Sequence, residues 1–345
     1  MIIIHPETIA VRKQPSNLKS KDLKVFSHEF RRRINAAHIR IERNVHLFGG
    51  VMLKLHTLNF FKSYIYPPST GFHIKSQLHH TIHLAIALLK GSGLLIRKGE
   101  NIPHAVWITD RRSHEYFHWM TDALPRLITA RNVITSHTLL LPLRYKKYPY
   151  IVDSLSYFKI PVRFFSASEK IKIKEFVLPS HTALPGNYNK QIINELRSIF
   201  LSKFSGILPS RKLYISRQKA KKRKVNNEQS VIRIFEKYGY ECHCMEDYSL
   251  SKQIELCVQS KAIAGLHGAG LTSMLFMQEK GQLLELRNED DCHNNCYFSL
   301  ASDLNIDYYY QINKGNKKDT HDVTITVDLT ELEKNLQLML EKQAC

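Results

Sequence analysis

The chain has 345 residues, 43% hydrophobic and 23% charged, a composition that excludes a disordered or fibrous protein and leaves room for two cores. Lysine and arginine number 50 against 31 aspartate and glutamate, a net charge of +19, so the partner or working surface is anionic: nucleic acid, anionic membrane, nucleotide diphosphate or acidic polysaccharide. No apolar run approaches the roughly 20 residues of a membrane span, and Met1-Ile2-Ile3-Ile4-His5-Pro6 lacks a basic n-region, so a cytoplasmic protein is expected.

Residues 1 to about 100 are the least regular. Phe30 to Val45 reads as a basic, helix-like stretch, followed by turn signals at Gly49-Gly50 and Pro67-Pro68 and a short apolar run from Leu84 to Leu89. His79 and His83 sit one helical turn apart with His80 between; no carboxylate or cysteine lies near, so they read as a surface cluster. From Ile102 the pattern sharpens. Ala105 to Ile108 reads as a strand, with Thr109-Asp110 or Ser113 available to cap a helix and Pro125 to break it or start the next segment. His137 to Leu141, Val162 to Phe165 and Ile173 to Leu178 read as strands, Tyr150 to Phe158 as a helix, and Gln191 to Phe204 as an amphipathic helix.

The last half alternates more clearly. Strands are predicted at Lys212–Ser216, Tyr240–Met245, Ala262–Leu266, Gln282–Arg287 and Ile306–Tyr310. Between them lie helices at Asn227–Tyr238, closed by Gly239, and at Leu250–Gln259, Leu271–Met277 and Cys296–Leu304, with a terminal helix from Leu329 to Lys342. Such alternation means a parallel sheet covered by helices, with ligands beyond the carboxyl ends of its strands. The expected organisation is a domain over 1–205, a second over 206–328, and a helix over 329–345 packing back across them. The six cysteines lie in the last third and read as reduced, buried thiols. Cys242-His243-Cys244 and Cys292-His293 with Cys296 match no zinc spacing well, so no metal is expected.

Several residue groups carry chemistry. Leu266-His267-Gly268-Ala269-Gly270-Leu271-Thr272 follows an apolar strand and opens a helix; its glycines let backbone N–H groups approach an anion, although a tight strand-to-helix turn also needs glycine. Without a Gly-Lys-Ser/Thr it is no Walker loop, and without a Gly-x-Ser-x-Gly elbow elsewhere the usual hydrolase is excluded. Glu285, at the end of the next strand, has the placement of a ribose-binding carboxylate or of an exposed strand-end glutamate. Residues 211 to 224 hold eight lysines or arginines in fourteen; Arg217 and Arg223 suit phosphate oxygens and the rest a solvated surface. His118 and Asp122, four apart on one helix face, form either a base with its orienting group or a half-buried histidine satisfied beside Trp119.

Taken together these pieces resemble glycosyltransferase family 61, in a bacterial-type member. The matching segments are Tyr116-Phe117-His118-Trp119 to Asp122, Leu124-Pro125-Arg126, Ile215-Ser216-Arg217, Arg223 with Asn227-Glu228, and the His267 to Thr272 loop. Glu285 and Tyr297-Phe298-Ser299-Leu300-Ala301 complete them, spanning residues from about 100 to 310 in order. His114-Glu115 departs from the Gly-Asn of many relatives. The resemblance implies an α/β GT-B fold: two Rossmann-like domains, the donor in the C-terminal one, and inversion at the anomeric carbon with no metal or other cofactor. It places Arg217, Arg223, His267, Gly268, Ala269, Gly270, Leu271 and Thr272 at the donor diphosphate and Glu285 at its ribose. Asp122 or His118 would be the base, with Tyr116, Trp119 and Arg126 on the acceptor side.

The expected partners are a nucleotide-sugar, for which a UDP-linked sugar is one candidate, and a glycan acceptor in capsule or lipopolysaccharide synthesis. A peripheral position at the inner face of the plasma membrane, against anionic lipid, fits the charge, and no specific nucleic acid is required. The competing reading is a polyanion- or nucleic-acid-binding α/β protein without catalysis, which leaves Glu285, the His267 loop and the Asp122 helix without a joint purpose.

Overall fold

A computed structural model describes residues 1–48, 51–57, 59–66, 68, 82, 99–291 and 295–344. Gly49-Gly50, the His79, His80 and His83 cluster, the Leu84 to Leu89 run, Cys292-His293 and Cys345 lie outside the described residues. The architecture is mixed α/β and divides into two compact units, Met1–Thr8 with Ile34–Pro185, and Ile9–Arg33 with Gly186–Cys345.

The first unit is built on an eight-stranded sheet. Its strands are β1 (Ile2–His5), β2 (Ala37–Phe48), β3 (Val51–Lys54), β4 (Asn59–Phe60), β5 (Glu100–Val106), β6 (Thr138–Pro142), β7 (Val162–Phe165) and β8 (Lys170–Pro179). They run in the order β4-β3-β2-β8-β5-β6-β7, with β1 paired antiparallel to β2. β8, β5, β6 and β7 are mutually parallel, and β2 joins β8 antiparallel. The helix expected within Phe30 to Val45 is thus a strand for most of its length. Ala37, Ile39, Val45 and Leu47 are fully buried at alternating positions while Arg43 and Asn44 are exposed, which is the period of a strand. Chain order in the parallel part reverses at β5: the chain leaves β5 for β6 on one side, and β8 returns on the other.

The second unit holds β9 (Arg211–Ile215), β10 (Lys224–Val225), β11 (Glu241–His243), β12 (Ser260–Leu266), β13 (Gln282–Asn288), β14 (Asp307–Gly315) and β15 (Thr324–Thr326), in the order β10-β15-β14-β13-β12-β9-β11. Five of them, β14-β13-β12-β9-β11, are parallel. Every residue of β13 is buried, as the central strand of a sheet covered on both faces must be. Here the chain leaves β9 for the edge strand β11 and comes back to β12 on β9's other side. β9 and β12 therefore flank the point where strand order reverses, the usual ligand position in open α/β sheets.

Three segments sit differently from expectation. The helix Lys190–Leu201 lies in the second unit, because its apolar face, Ile192, Leu196 and Phe200, is buried there. Arg197 Nη1 donates to the Leu304 carbonyl at 2.7 Å, and Phe200 meets Phe276 edge-on with centroids 5.1 Å apart. Ile9–Arg33 also belongs to the second unit. Ser16 N donates to Tyr308 O at 2.8 Å and Asn17 Nδ2 to Tyr310 O at 2.7 Å, so this arm lies along β14. The C-terminal helix Leu329–Ala344 packs on the second unit's own sheet, with Leu332, Leu336 and Met339 in one core with Tyr309 and Val327. Among the described residues no helix is long and apolar enough to cross a membrane.

Candidate functional site

In the second unit, β9 runs out at Ile215 and delivers Ser216 and Arg217 to the reversal point. Glu228, in the first turn of the helix Glu228–Lys237, is buried; its Oε1 accepts from Ser216 Oγ at 2.8 Å, Arg217 N at 3.0 Å and Tyr214 Oη at 3.1 Å. Those three bonds fix the backbone from which the Arg217 side chain starts. Its guanidinium then donates from Nε to Arg223 O at 2.9 Å and from Nη2 to Lys222 O at 2.7 Å. Burial, then the neighbouring Arg223 charge, pulls the Arg217 pKa down. Arg223 adopts φ 59° and keeps a buried Nε with no hydrogen-bond partner. The repulsion between the two like charges is what adds to burial in lowering the Arg217 value.

β12 delivers His267 and Gly268 to the same point. A methyl group on Gly268 would lie 2.5 Å from Arg217 Nη1, so the guanidinium can take this seat only while position 268 carries no side chain. Added carbons on Gly265 and Gly270 would meet the Ile215 carbonyl at 3.1 Å and Ile215 Cγ2 at 3.0 Å; the turn is drawn tight against the end of β9. Beyond Gly268 the chain forms a 3-10 helix, Ala269–Phe276, where an α-helix was expected. Its Leu271 side chain packs over Gly265, and Thr272 is fully buried beneath the loop. The tighter winding follows from the short N–H to carbonyl spacing that begins with Leu271 N to Gly268 O at 2.9 Å.

Glu285 is fully buried on β13, not exposed at a strand end. Its Oε1 accepts from His267 Nδ1, and its Oε2 from Tyr308 Oη at 2.5 Å. Arg287 lies 3.9 Å from Oε2 and donates to Asn295 Oδ1 and the Asp291 carbonyl, both at 2.8 Å. Burial alone would raise the Glu285 pKa, but Arg287, His267 and Tyr308 outweigh it and hold the carboxyl below the ordinary range. The carboxylate therefore fixes the His267 ring, which also meets Tyr297 with centroids 5.0 Å apart. Sequence reasoning assigned no role to Tyr308, Arg287 or Tyr297: Arg287 lies two residues further along β13, Tyr297 comes from the helix Cys296–Asp303, and the pairing of β13 with β14 brings in Tyr308, which is in register with Leu283.

In the first unit, Tyr116–His118 forms one α-turn, Trp119–Ala123 is π-helical, and Leu124–Ala130 resumes as α-helix with Pro125 near its start. Proline has no N–H to give the preceding turn, and a π-helical insertion ahead of it is a common mark of functional helices. His118 Nδ1 and Asp122 Oδ2 are 2.6 Å apart and both residues are largely buried. Burial works against the charged imidazole, but Asp122 and then Glu115 outweigh it, and the His118 pKa is raised. Tyr116 is half-buried and meets Tyr150 edge-on at 5.1 Å. Trp119 is fully buried, its indole N–H donating to Ser154 Oγ at 2.8 Å. Arg126 is fully buried as well, with Nε donating to Pro179 O at 3.0 Å; it ties the helix to the end of β8.

Asp110 does not cap this helix. Its Oδ1 accepts from Arg112 N at 2.8 Å and Ser113 N at 3.0 Å in a tight turn, while Oδ2 pairs with His181 Nε2 at 2.9 Å. Asp110 follows β5 and His181 follows β8, so this pair marks the first unit's own reversal point. Burial lowers the His181 pKa, and the Arg126 charge lowers it further. His181 lies between the predicted strand Ile173–Leu178 and the predicted helix from Gln191, in a stretch without periodicity to single it out.

The cysteines divide: Cys257 and Cys296 are buried, whereas Cys242 is exposed and Cys244 partly so, which corrects the expectation of buried thiols there. His243 projects to the opposite face from Cys242, and its Nδ1 meets Tyr248 Oη at 2.9 Å.

The second unit is thus an α/β parallel sheet that gathers Arg217, Arg223, a glycine turn and a buried carboxylate–histidine pair at its reversal point. Residues 116–284 match the model of the family described as Glycosyltransferase 61; the chain carries a domain of that family, and this supports a glycosyltransferase acting on a nucleotide-sugar and an acceptor. No curated protein matches the chain significantly.

Proposed function

We propose that the chain is an inverting, metal-independent glycosyltransferase with a GT-B arrangement, moving a sugar from a nucleotide-sugar to a glycan hydroxyl in bacterial surface polysaccharide synthesis at the cytoplasmic membrane face. The observation that carries this reading is the Arg217 guanidinium seated against Gly268, with the Arg223 Nε buried and unpartnered beside it. In a single displacement, a base takes the acceptor proton while cations and backbone donors take up the charge of the departing diphosphate. Arg217, Arg223 and the 267–270 turn fill the second role. Glu285 keeps His267 in register for the donor, and binding of the ribose by Glu285 itself requires it to exchange the bond from His267 or Tyr308. The His118–Asp122 pair supplies the base, with Asp122 or His118 receiving the proton.

The polyanion-binding alternative rests on the net charge of +19. Part of the basic run is committed within the unit: Lys219 pairs with Asp247 at 2.6 Å, and Lys224 Nζ donates to the Arg217 and Gln218 carbonyls at 3.1 and 2.7 Å. Thermal-shift titration of the full chain against nucleoside diphosphates in EDTA separates the readings. A ligand at 100 times its Kd adds about 2.7 kcal/mol to stability. Stabilisation by one nucleoside diphosphate, lost in Arg217→Ala, supports the donor site. No shift with any of them, together with salt-sensitive and sequence-blind DNA binding, supports the alternative.

A further inference from the structure

Apart from the residues above, the first unit brings three metal-ligating side chains together. His104 lies on β5, Glu175 is its register partner on β8, and His137 immediately precedes β6, so three neighbouring parallel strands contribute one residue each. One potential ligand atom from each falls within 4.8 Å of the other two. His104 Nδ1 is 3.6 Å from Glu175 Oε1, and His137 Nε2 is 3.5 Å from that same oxygen.

Those separations are too long for hydrogen bonds. They are close to the spacing of about 3.4 Å between neighbouring ligands that follows from zinc–nitrogen and zinc–oxygen bonds near 2.1 Å in a tetrahedron. His137 is 4% exposed, yet neither of its ring nitrogens has a hydrogen-bond partner, and His104 Nδ1 is buried without one too. A buried imidazole with both nitrogens orphaned is a costly arrangement unless a further group satisfies it. Two histidines and one carboxylate are a borderline-soft donor set, suited to zinc rather than to magnesium or calcium. His104 and Glu175 remain partly exposed, which leaves an entry path and room for a water as fourth ligand.

We infer that His104, His137 and Glu175 form a three-ligand site for a divalent transition ion of the zinc class, which staples β8, β5 and the start of β6. The site shares no residue with the proposed transfer machinery, so its occupancy and metal-independent transfer are compatible. The test is calorimetric titration of the chelator-stripped full chain with Zn2+, repeated with Co2+ and read by visible absorption. The expected result is one saturable site whose cobalt spectrum has no sulfur charge-transfer band, weakened at least tenfold in both Glu175→Gln and His137→Gln. Glu175 is partly exposed, so its variant keeps the fold even if the His137 change does not; circular dichroism establishes this. Unchanged Zn2+ affinity in a folded Glu175→Gln, a thiolate band pointing to Cys242 and Cys244, or no uptake by the parent chain would each overturn the assignment.

Discussion

The guanidinium of Arg217 lies so close to Gly268 that one added carbon would stand 2.5 Å from Nη1 and 3.1 Å from Cζ. These residues come from different strand ends, and their contact joins the two sides of the second unit's reversal point. The atoms in the way belong to the tip of a side chain, so Gly268→Ala displaces the guanidinium without disturbing the strands. Charge-assisted hydrogen bonds contribute about 1.5–3 kcal/mol each. Gly268→Ala should therefore weaken nucleoside diphosphate binding roughly ten- to a hundredfold, with unfolding stability within about 1 kcal/mol of the parent. Calorimetric titration beside urea unfolding measures both; a large stability loss with intact affinity would contradict the account.

Glu285 and Arg287 are both fully buried, so removing the carboxylate leaves a buried cation short of its counter-charge. Glu285→Ala should lose about 3–5 kcal/mol of stability, and Glu285→Gln less, because the amide still accepts from one donor. The folded Glu285 pKa is held below its unfolded value. Its contribution to stability is accordingly complete above the unfolded value, about 4.3, and fades as pH falls through the lower folded value. Urea midpoints of parent and Glu285→Gln should converge on acidification; a constant gap down to the acid transition would count against a charged Glu285.

For His118 the sign is opposite. Its folded pKa lies above the ordinary value of 6.5, so the stability from its pairing with Asp122 is present below that value and lost as pH rises through the folded one. If the pair is the base, the acid limb of kcat lies above the ordinary histidine value. Asp122→Asn removes the main group that raises the His118 pKa, so the limb should move to lower pH. The plateau should fall by about 10²–10⁴, the contribution of a positioned base, while donor affinity stays unchanged. A pH–rate profile of Asp122→Asn identical in shape and height to the parent would exclude the pair from catalysis.

The parts of this arrangement that sequence reached are those with strong local signals. Val162–Phe165 starts directly after Pro161 and gives way to Ser166-Ala167-Ser168, and the apolar strand ending at Leu266 stops two residues before Gly268. Phe30 to Val45 misled because Arg32, Arg33, Arg40 and Arg43 break the apolar alternation, and because residue pairs such as Ala36-Ala37 favour helix as readily as strand. Glu285 was located but not its burial: nothing near it in sequence announces Tyr308 or the Ile9–Arg33 arm, which reach it only through pairing of β13 with β14. His181, too, acquires its meaning only when β8 is laid beside β5 and Asp110.

The Ile9–Arg33 arm has a measurable consequence. Phe26 is fully buried, with its ring 4.7 Å from Tyr310, 5.3 Å from Phe298 and 5.3 Å from the Arg287 guanidinium carbon. It thereby closes the apolar side of the cluster in which Arg287 and Tyr308 support Glu285. Deleting a buried phenylalanine costs about 3–5 kcal/mol. Phe26→Ala should lose stability in that range and also weaken nucleoside diphosphate binding, because Tyr308 and Glu285 lose the packing that holds His267 in place. Phe26→Leu retains most of the volume and should lose less than half as much. If Phe26→Ala unfolds no more easily than the parent, the arm is not part of the second unit's core, and the route from Phe26 through Glu285 to His267 is wrong.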